Sequence, residues 1–183
     1  DYQPSRGLGD VYKRQAWEAI ATQAKAKNVV CLVDFAYQGF GEGLEEDRAG
    51  LHILLNAGLS VLVVSSFSKN FSLYGERIGA ITVVEETAND AFNAFSHVQA
   101  AIRAIYSSPP AHGGKIVATI LGDAPLKELW IQELAEMRSR IKAMRRAFVQ
   151  GMTDRQQMVD FDFINHQKGM FSFSGLTLKQ VLK

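Results

Sequence analysis

Cysteine, proline and net charge are all scarce in this 183-residue sequence, and each scarcity excludes something. The single cysteine, Cys31, cannot close an internal disulfide. With Lys+Arg at 20 and Asp+Glu at 19, the formal charge is only +1. That balance gives no reason to expect nucleic acid or an anionic membrane as partner. No apolar run approaches the roughly 20 residues of a membrane span, and no secretory signal pattern is present. The four histidines, His52, His97, His112 and His166, are scattered without metal-ligand spacing. Repeats and low-complexity segments are absent. What remains is 47% hydrophobic and 21% charged, an ordinary globular composition with enough chain for one sizeable core. A cytoplasmic enzyme or binding domain fits best.

Both ends read as cuts in something longer. The chain starts without methionine, and "DVYKRQ" (Asp10 to Gln15) resembles the translation of a transposon mosaic end used in sequencing-library adaptors. Residues 1–15 are therefore expected to be non-native and stand outside the fold reasoning. The far end, "GLTLKQVLK", looks like the opening turns of a helix with no stop signal. An internal fragment is the expectation.

Between the ends, the periodicity alternates. "AWEAIATQAKAK" has helical spacing, "NVVCLVDF" is a β-branched run ending in an acid, and "DRAGLHILLNAG" is again helical. "LSVLVVSS" is a second buried strand, so the order argues for a right-handed βαβ unit in a mainly parallel sheet. "RIGAITVV" predicts a third strand. A long helix follows, stopped by Pro109 and Pro110, then a shorter one over "HGGKIVATILG". From Pro125 to about Gln150 the pattern is amphipathic and unbroken, the length of a helix that bridges two domains. "FDFI" and "GMFSFSG" predict two short strands and a turn. The run "RSRIKAMRR" reads as the solvated face of the long helix, and Cys31 as a small apolar filler.

In open parallel sheets, ligands bind beyond the carboxyl ends of the strands. Asp34 ends one expected strand and Lys69 follows the next, with Tyr37 in the loop on the same edge and Ser66, Ser68 and Arg77 around the lysine. An acid, a phenol, a lysine, two hydroxyls and an arginine suit a phosphorylated aldehyde cofactor. A lysine amine condenses with an aldehyde, a carboxylate holds a pyridinium nitrogen protonated, and arginine with serine binds phosphate. Taken singly, each residue has a plainer reading as a surface charge, a capping acid or an ion-pair partner.

The strings "DFAYQGF", "SFSKNFSLYGERIGA", "AAIRAIYSSPPAHG", "ELAEMRSRIKAMR" and "GMFSFSGL" resemble, in order, the aspartate and aromatic aminotransferases, pyridoxal-phosphate enzymes of fold type I. The resemblance implies an α/β fold. Residues 16–136 would form the C-terminal part of a large cofactor-binding domain, and 137–183 the beginning of a smaller α/β domain joined by the long helix. It further implies that Lys69 forms the internal aldimine and shuttles a proton, that Asp34 pairs with the pyridine nitrogen, and that Tyr37 donates to the 3-oxygen. Ser66, Ser68 and Arg77 would hold the phosphate and Ala36 would pack on the ring. Arg103 would reach into the neighbouring subunit's site, making a homodimer with shared active sites. Ser107, Ser108 and Phe171 would contact substrate. The implied reaction moves an amino group from aspartate or an aromatic amino acid to 2-oxoglutarate. Ser108, where strict aspartate enzymes more often carry asparagine, tilts the expectation slightly towards broader specificity.

Departures matter as well. The family's Asn-Pro-Thr-Gly stretch, its second substrate arginine and the partner's phosphate tyrosine do not occur in these residues, so the fragment alone is expected to be inactive. An alternative is a non-catalytic truncated subunit that keeps only its dimerisation and cofactor contacts. A lyase of the same fold stays possible, with Arg103 arguing against it. Ser66 to Lys69 also satisfies S-x-x-K, the mark of penicillin-recognising serine hydrolases, but the accompanying S-D-N and K-T-G strings do not occur.

Overall fold

The computed structural model describes residues 14–155 and 160–182. Residues 1–13, most of the stretch expected to be adaptor-derived, lie outside the described residues, while Arg14 and Gln15 open the first helix. That helix, α1 (Arg14–Ala26), leads into β1 (Cys31–Phe35). A short 3-10 turn at Glu46–Arg48 runs into α2 (Ala49–Asn56), and β2 (Val61–Ser66) follows. β1 and β2 pair in parallel, with Asp34 opposite Val64 and Phe35 opposite Ser65. The expected βαβ crossover is present. β3 (Gly79–Val84) pairs with β2 antiparallel, because the connection through residues 67–78 holds no crossover helix and turns the chain back.

The core follows from strand alternation. Val33, Val61 and Val63 face the two helices, where Ala21, Ala24 and Leu54 close the packing. α1 and α2 approach so closely that a Cβ on Gly50 would stand 2.2 Å from the Trp17 ring. Leu32, on the opposite face of β1, is 68% exposed.

Three helices follow. α3 (Ala88–Tyr106) starts at Thr87, whose hydroxyl accepts the Asp90 N–H at 3.1 Å. It ends just ahead of the expected proline stop, and α4 is His112–Gly122. α5 (Ala124–Asp154) spans 31 residues, with Asp123 capping the Leu126 N–H and Pro125 in its first turn. At 1.5 Å per residue it is about 46 Å long. It runs unbroken through residues 136 and 137, the expected boundary between the larger and the smaller domain.

The tail departs from expectation. Asp162–His166 is a 3-10 turn rather than a strand, and the stretch through Phe171 and Phe173 is irregular. The alternation of phenylalanines resembles a strand, but the backbone groups are spent elsewhere. Arg145 takes the carbonyls of Gln167, Gly169 and Phe171, and the Gln167 side-chain amide binds both N–H and C=O of Phe173. No ladder can form on groups already bonded. The last turn, α6 (Leu178–Val181), carries a capping box between Thr177 and Gln180.

Two carboxylates fasten the loop that follows β1. Asp47 accepts the N–H groups of Gly39, Gly41 and Glu42 at 2.8, 3.0 and 2.9 Å. Glu42 bridges Lys142 of α5 at 2.7 Å and Lys168 of the tail at 2.8 Å. Asp47→Ala should lower stability by about 2 kcal/mol, the loss of charge-assisted bonds to backbone donors, read as a fall in denaturant midpoint at unchanged slope. The hydrogen bonds from Lys142 and Lys168 hold the Glu42 carboxyl at about 2, below its ordinary 4.5. A depressed folded-state pKa stabilises the fold above 4.5, and that contribution disappears as pH falls from there towards 2. Because the side chain is half-exposed, the effect should reach about 1 kcal/mol at most. Glu42→Gln should flatten the acid limb of the stability curve across that window, and an unchanged limb would contradict the bridge.

Candidate active site

Because β1 and β2 run parallel, both carboxyl ends open on one edge of the sheet. Asp34 lies at that end of β1 and is exposed, while Ala36 and Tyr37 begin the turn beyond it. Ser66 closes β2, and its Oγ accepts the Ser68 N–H at 3.3 Å. Ser68 is buried, and Lys69 follows in a non-helical turn. The Lys69 ammonium sits over the Tyr37 ring, 5.2 Å from its centre, a cation–π contact. On another side, Phe171 meets Tyr37 edge-on, with ring centres 5.5 Å apart and planes at 83°.

The Tyr37 phenol has its pKa raised by burial first, then by Tyr74 and Asp34. All three destabilise a phenolate, so Tyr37 stays a neutral hydrogen-bond donor beyond the pH at which a free phenol ionises. Asp34, Tyr37, Lys69, Tyr74 and Phe171 thus converge on one edge. Arg77 belongs to the same loop, in a left-handed conformation with φ 51°, and its guanidinium donates to the Tyr74 carbonyl at 3.1 Å. Ser72 is also left-handed, with φ 57°. Two non-glycine residues in this region within six positions mark a backbone held by its surroundings.

Arg103 stands exposed on the last turn of α3, and Ser107 caps that helix at φ 60°. Among the described residues, no hydrogen bond, ion pair or ring contact joins Arg103, Ser107 or Ser108 to the Tyr37–Lys69 pair.

The structure adds residues that the sequence did not single out, and most lie on one stripe of α5. Trp130 donates to the Asn70 carbonyl at 2.6 Å and stacks on Phe71 at 4.5 Å, bracing the chain just after Lys69. Leu134, fully buried, packs under Gly39, where a Cβ would stand 2.4 Å from its Cδ2. Arg138 donates to the Gly39 carbonyl at 2.7 Å, Lys142 reaches Glu42, and Arg145 is buried against the tail. The reading of "RSRIKAMRR" as a solvated face is therefore corrected: Arg138, Lys142 and Arg145 turn inward, while Ser139, Arg140 and Arg146 are exposed. The i, i+4 spacing from Trp130 keeps them on the packed side. Tyr74 also approaches the tail, its hydroxyl 3.8 Å from the Met170 sulfur.

The donor set fits a phosphorylated pyridine aldehyde: an amine over a phenol ring, a carboxylate at the same strand end, and hydroxyls with an arginine in the next loop. Asn70, beside the lysine, keeps a buried side-chain oxygen without a partner, a polar atom still open to a donor. No group of histidine, cysteine and carboxylate residues that could hold a metal ion occurs among the described residues.

A family model described as aminotransferase class I and II matches residues 3–183. The aspartate aminotransferase of Escherichia coli K12 is 49% identical over 169 residues, which are 92% of this chain and 43% of that protein. The aromatic-amino-acid aminotransferase of the same organism is 44% identical over 165 residues, 90% of this chain and 42% of that protein. Among solved structures, an aromatic-amino-acid aminotransferase from Burkholderia pseudomallei, covalently bound to pyridoxal phosphate, superposes with TM-score 0.87 at 46% identity. That alignment covers 92% of this chain and 42% of the other. The chain thus spans about two fifths of the length of these relatives. With the match running from residue 3 to its last residue, the chain belongs to the class I and II aminotransferase family.

Proposed function

We propose that this chain is the cofactor-anchoring part of an aminotransferase that uses pyridoxal phosphate to exchange amino groups between aspartate or an aromatic amino acid and 2-oxoglutarate. The observation that carries the reading is the placement of Lys69, its amine 5.2 Å over the Tyr37 ring at the edge where the parallel strands end. When bound, pyridoxal phosphate supplies an aldehyde for amines and a protonated ring that draws electrons from the substrate α-carbon.

The residues divide that work by their chemistry. Lys69 would hold the cofactor covalently and then carry the proton that leaves and returns at the substrate α-carbon. Asp34, an exposed carboxylate at the strand end, would keep the ring nitrogen protonated. Tyr37, kept neutral by its surroundings, would donate its phenolic proton to the ring oxygen. Ser66, Ser68 and Arg77 would bind the phosphate, with Ala36 against the ring and Phe171 closing the side above Tyr37. Arg103, exposed at the end of α3, would serve the neighbouring copy of a homodimer by gripping the distal carboxylate of a dicarboxylic substrate. Ser107 and Ser108, just after that helix, would contact the substrate. Both substrate classes appear among the names of the relatives, which supports the pairing without choosing between them. A cytoplasmic location belongs to the same reading, as the name of a Dictyostelium discoideum relative has it.

The test is capture of the cofactor. Incubation with pyridoxal phosphate, borohydride reduction and peptide mass spectrometry should place the adduct on Lys69, and Lys69→Ala should lose both the adduct and the protein-bound visible absorption band. An adduct spread over surface lysines, unchanged by Lys69→Ala, would overturn the assignment. The 183-residue chain should retain cofactor yet show no aspartate-dependent release of oxo acid. Turnover by this chain alone would mean that the residues named here suffice for the whole reaction.

A further inference from the structure

Arg145 is the one buried cation in the described core that has no carboxylate. It is 6% exposed on α5. Its Nε donates to the Ser172 hydroxyl at 2.9 Å, one terminal nitrogen donates to the Gln167 carbonyl at 2.6 Å, and the other to the carbonyls of Gly169 and Phe171 at 2.6 and 3.0 Å. All four acceptors are neutral, and all lie within six residues of one another. A guanidinium is a rigid planar fork of five N–H donors. Binding three alternate carbonyls with it fixes their spacing, which a flexible ammonium or a neutral amide could not do.

What the fork fixes is the entry of Phe171. That ring is 55% exposed, so burial does not hold it, yet it stands edge-on to Tyr37 at 5.5 Å. The backbone around it is pinned on both sides: by Arg145 through residues 167, 169, 171 and 172, and by the Gln167 amide, bonded to Phe173 N–H and C=O at 2.7 and 2.8 Å. We propose that Arg145 is a positioning residue for the Tyr37–Lys69 site: by gathering the carbonyls of Gln167, Gly169 and Phe171 it sets the Phe171 ring against Tyr37 and so builds the aromatic wall of the site. The importance of that wall rests on the cofactor reading given above; the positioning itself does not.

The experiment follows the ring contact directly. In the 183-residue chain with carbon-13 in its aromatic rings, and without cofactor, cross-relaxation between Tyr37 and Phe171 is measured for the parent, Arg145→Lys and Arg145→Gln. The Phe67–Phe71 ring pair, 5.4 Å apart and flanking Lys69 in the sequence, is the internal reference. Both variants should lose the Tyr37–Phe171 signal and keep the reference, with amide exchange over residues 169–173 about tenfold faster. If neither variant folds, Ser172→Ala removes only the Nε acceptor and should still weaken the signal. An unchanged Tyr37–Phe171 signal in every variant that folds overturns the proposal. Loss of the ring signal in the variants, together with failure of Lys69 in the parent chain to capture pyridoxal phosphate, would instead leave Arg145 as assigned and remove the cofactor reading.

Discussion

One face of α5 sets the geometry on which the candidate site depends. Trp130, Leu134, Arg138 and Lys142 recur every four residues, with Arg145 one turn further on, so a single straight stripe touches three separate pieces of chain. Trp130 holds the lysine loop through Asn70 and Phe71. Leu134 and Arg138 hold the Tyr37 loop at Gly39. Lys142 reaches the same loop through Glu42, and Arg145 holds the tail that presents Phe171. Three loops far apart in sequence are thereby referred to one rigid rod. Helices are stiff on this scale and loops are not, so a site assembled from loops needs such a rod to keep its residues in register.

The stripe also changes the character of its contacts along its length. Near the lysine loop it is aromatic and apolar, and towards the tail it becomes cationic. Both ends bind mainly to backbone carbonyls or their loops, which explains the residue types. A tryptophan N–H and an arginine guanidinium are donors only, matched to carbonyls that a loop leaves unpaired. The cost falls on Arg145, whose pKa is lowered by burial, as expected for a cation offered only neutral acceptors. A hydrophobic residue there would avoid that penalty but leave three carbonyls unsatisfied.

Much of this architecture was legible in the sequence because it rests on local periodicity. β1 and β2 were visible as β-branched runs, α2 and α5 by helical spacing, and the shared strand edge of Asp34 and Lys69 followed from the βαβ rule. The tail was not legible, since Phe171 and Phe173 alternate as a strand would. Only the positions of Arg145 and Gln167 reveal that the backbone groups needed for a ladder are already taken. The inward turn of Arg138, Lys142 and Arg145 was hidden for a related reason. A basic run on a long helix has the same pattern whether it faces water or carbonyls, and the acceptors lie as far as 100 residues away in sequence.

The electrostatics of the edge follow from its position beyond the strand ends. Burial raises the Tyr37 pKa most, and Tyr74 and Asp34 add to it, so the phenol keeps its proton beneath the Lys69 side chain. A neutral phenol presents the negative face of its π-system to that ammonium and still has its hydroxyl proton to donate. The edge thus holds amine and phenol together by a ring-face contact that needs no ion pair, and the phenolic proton stays available to a third group.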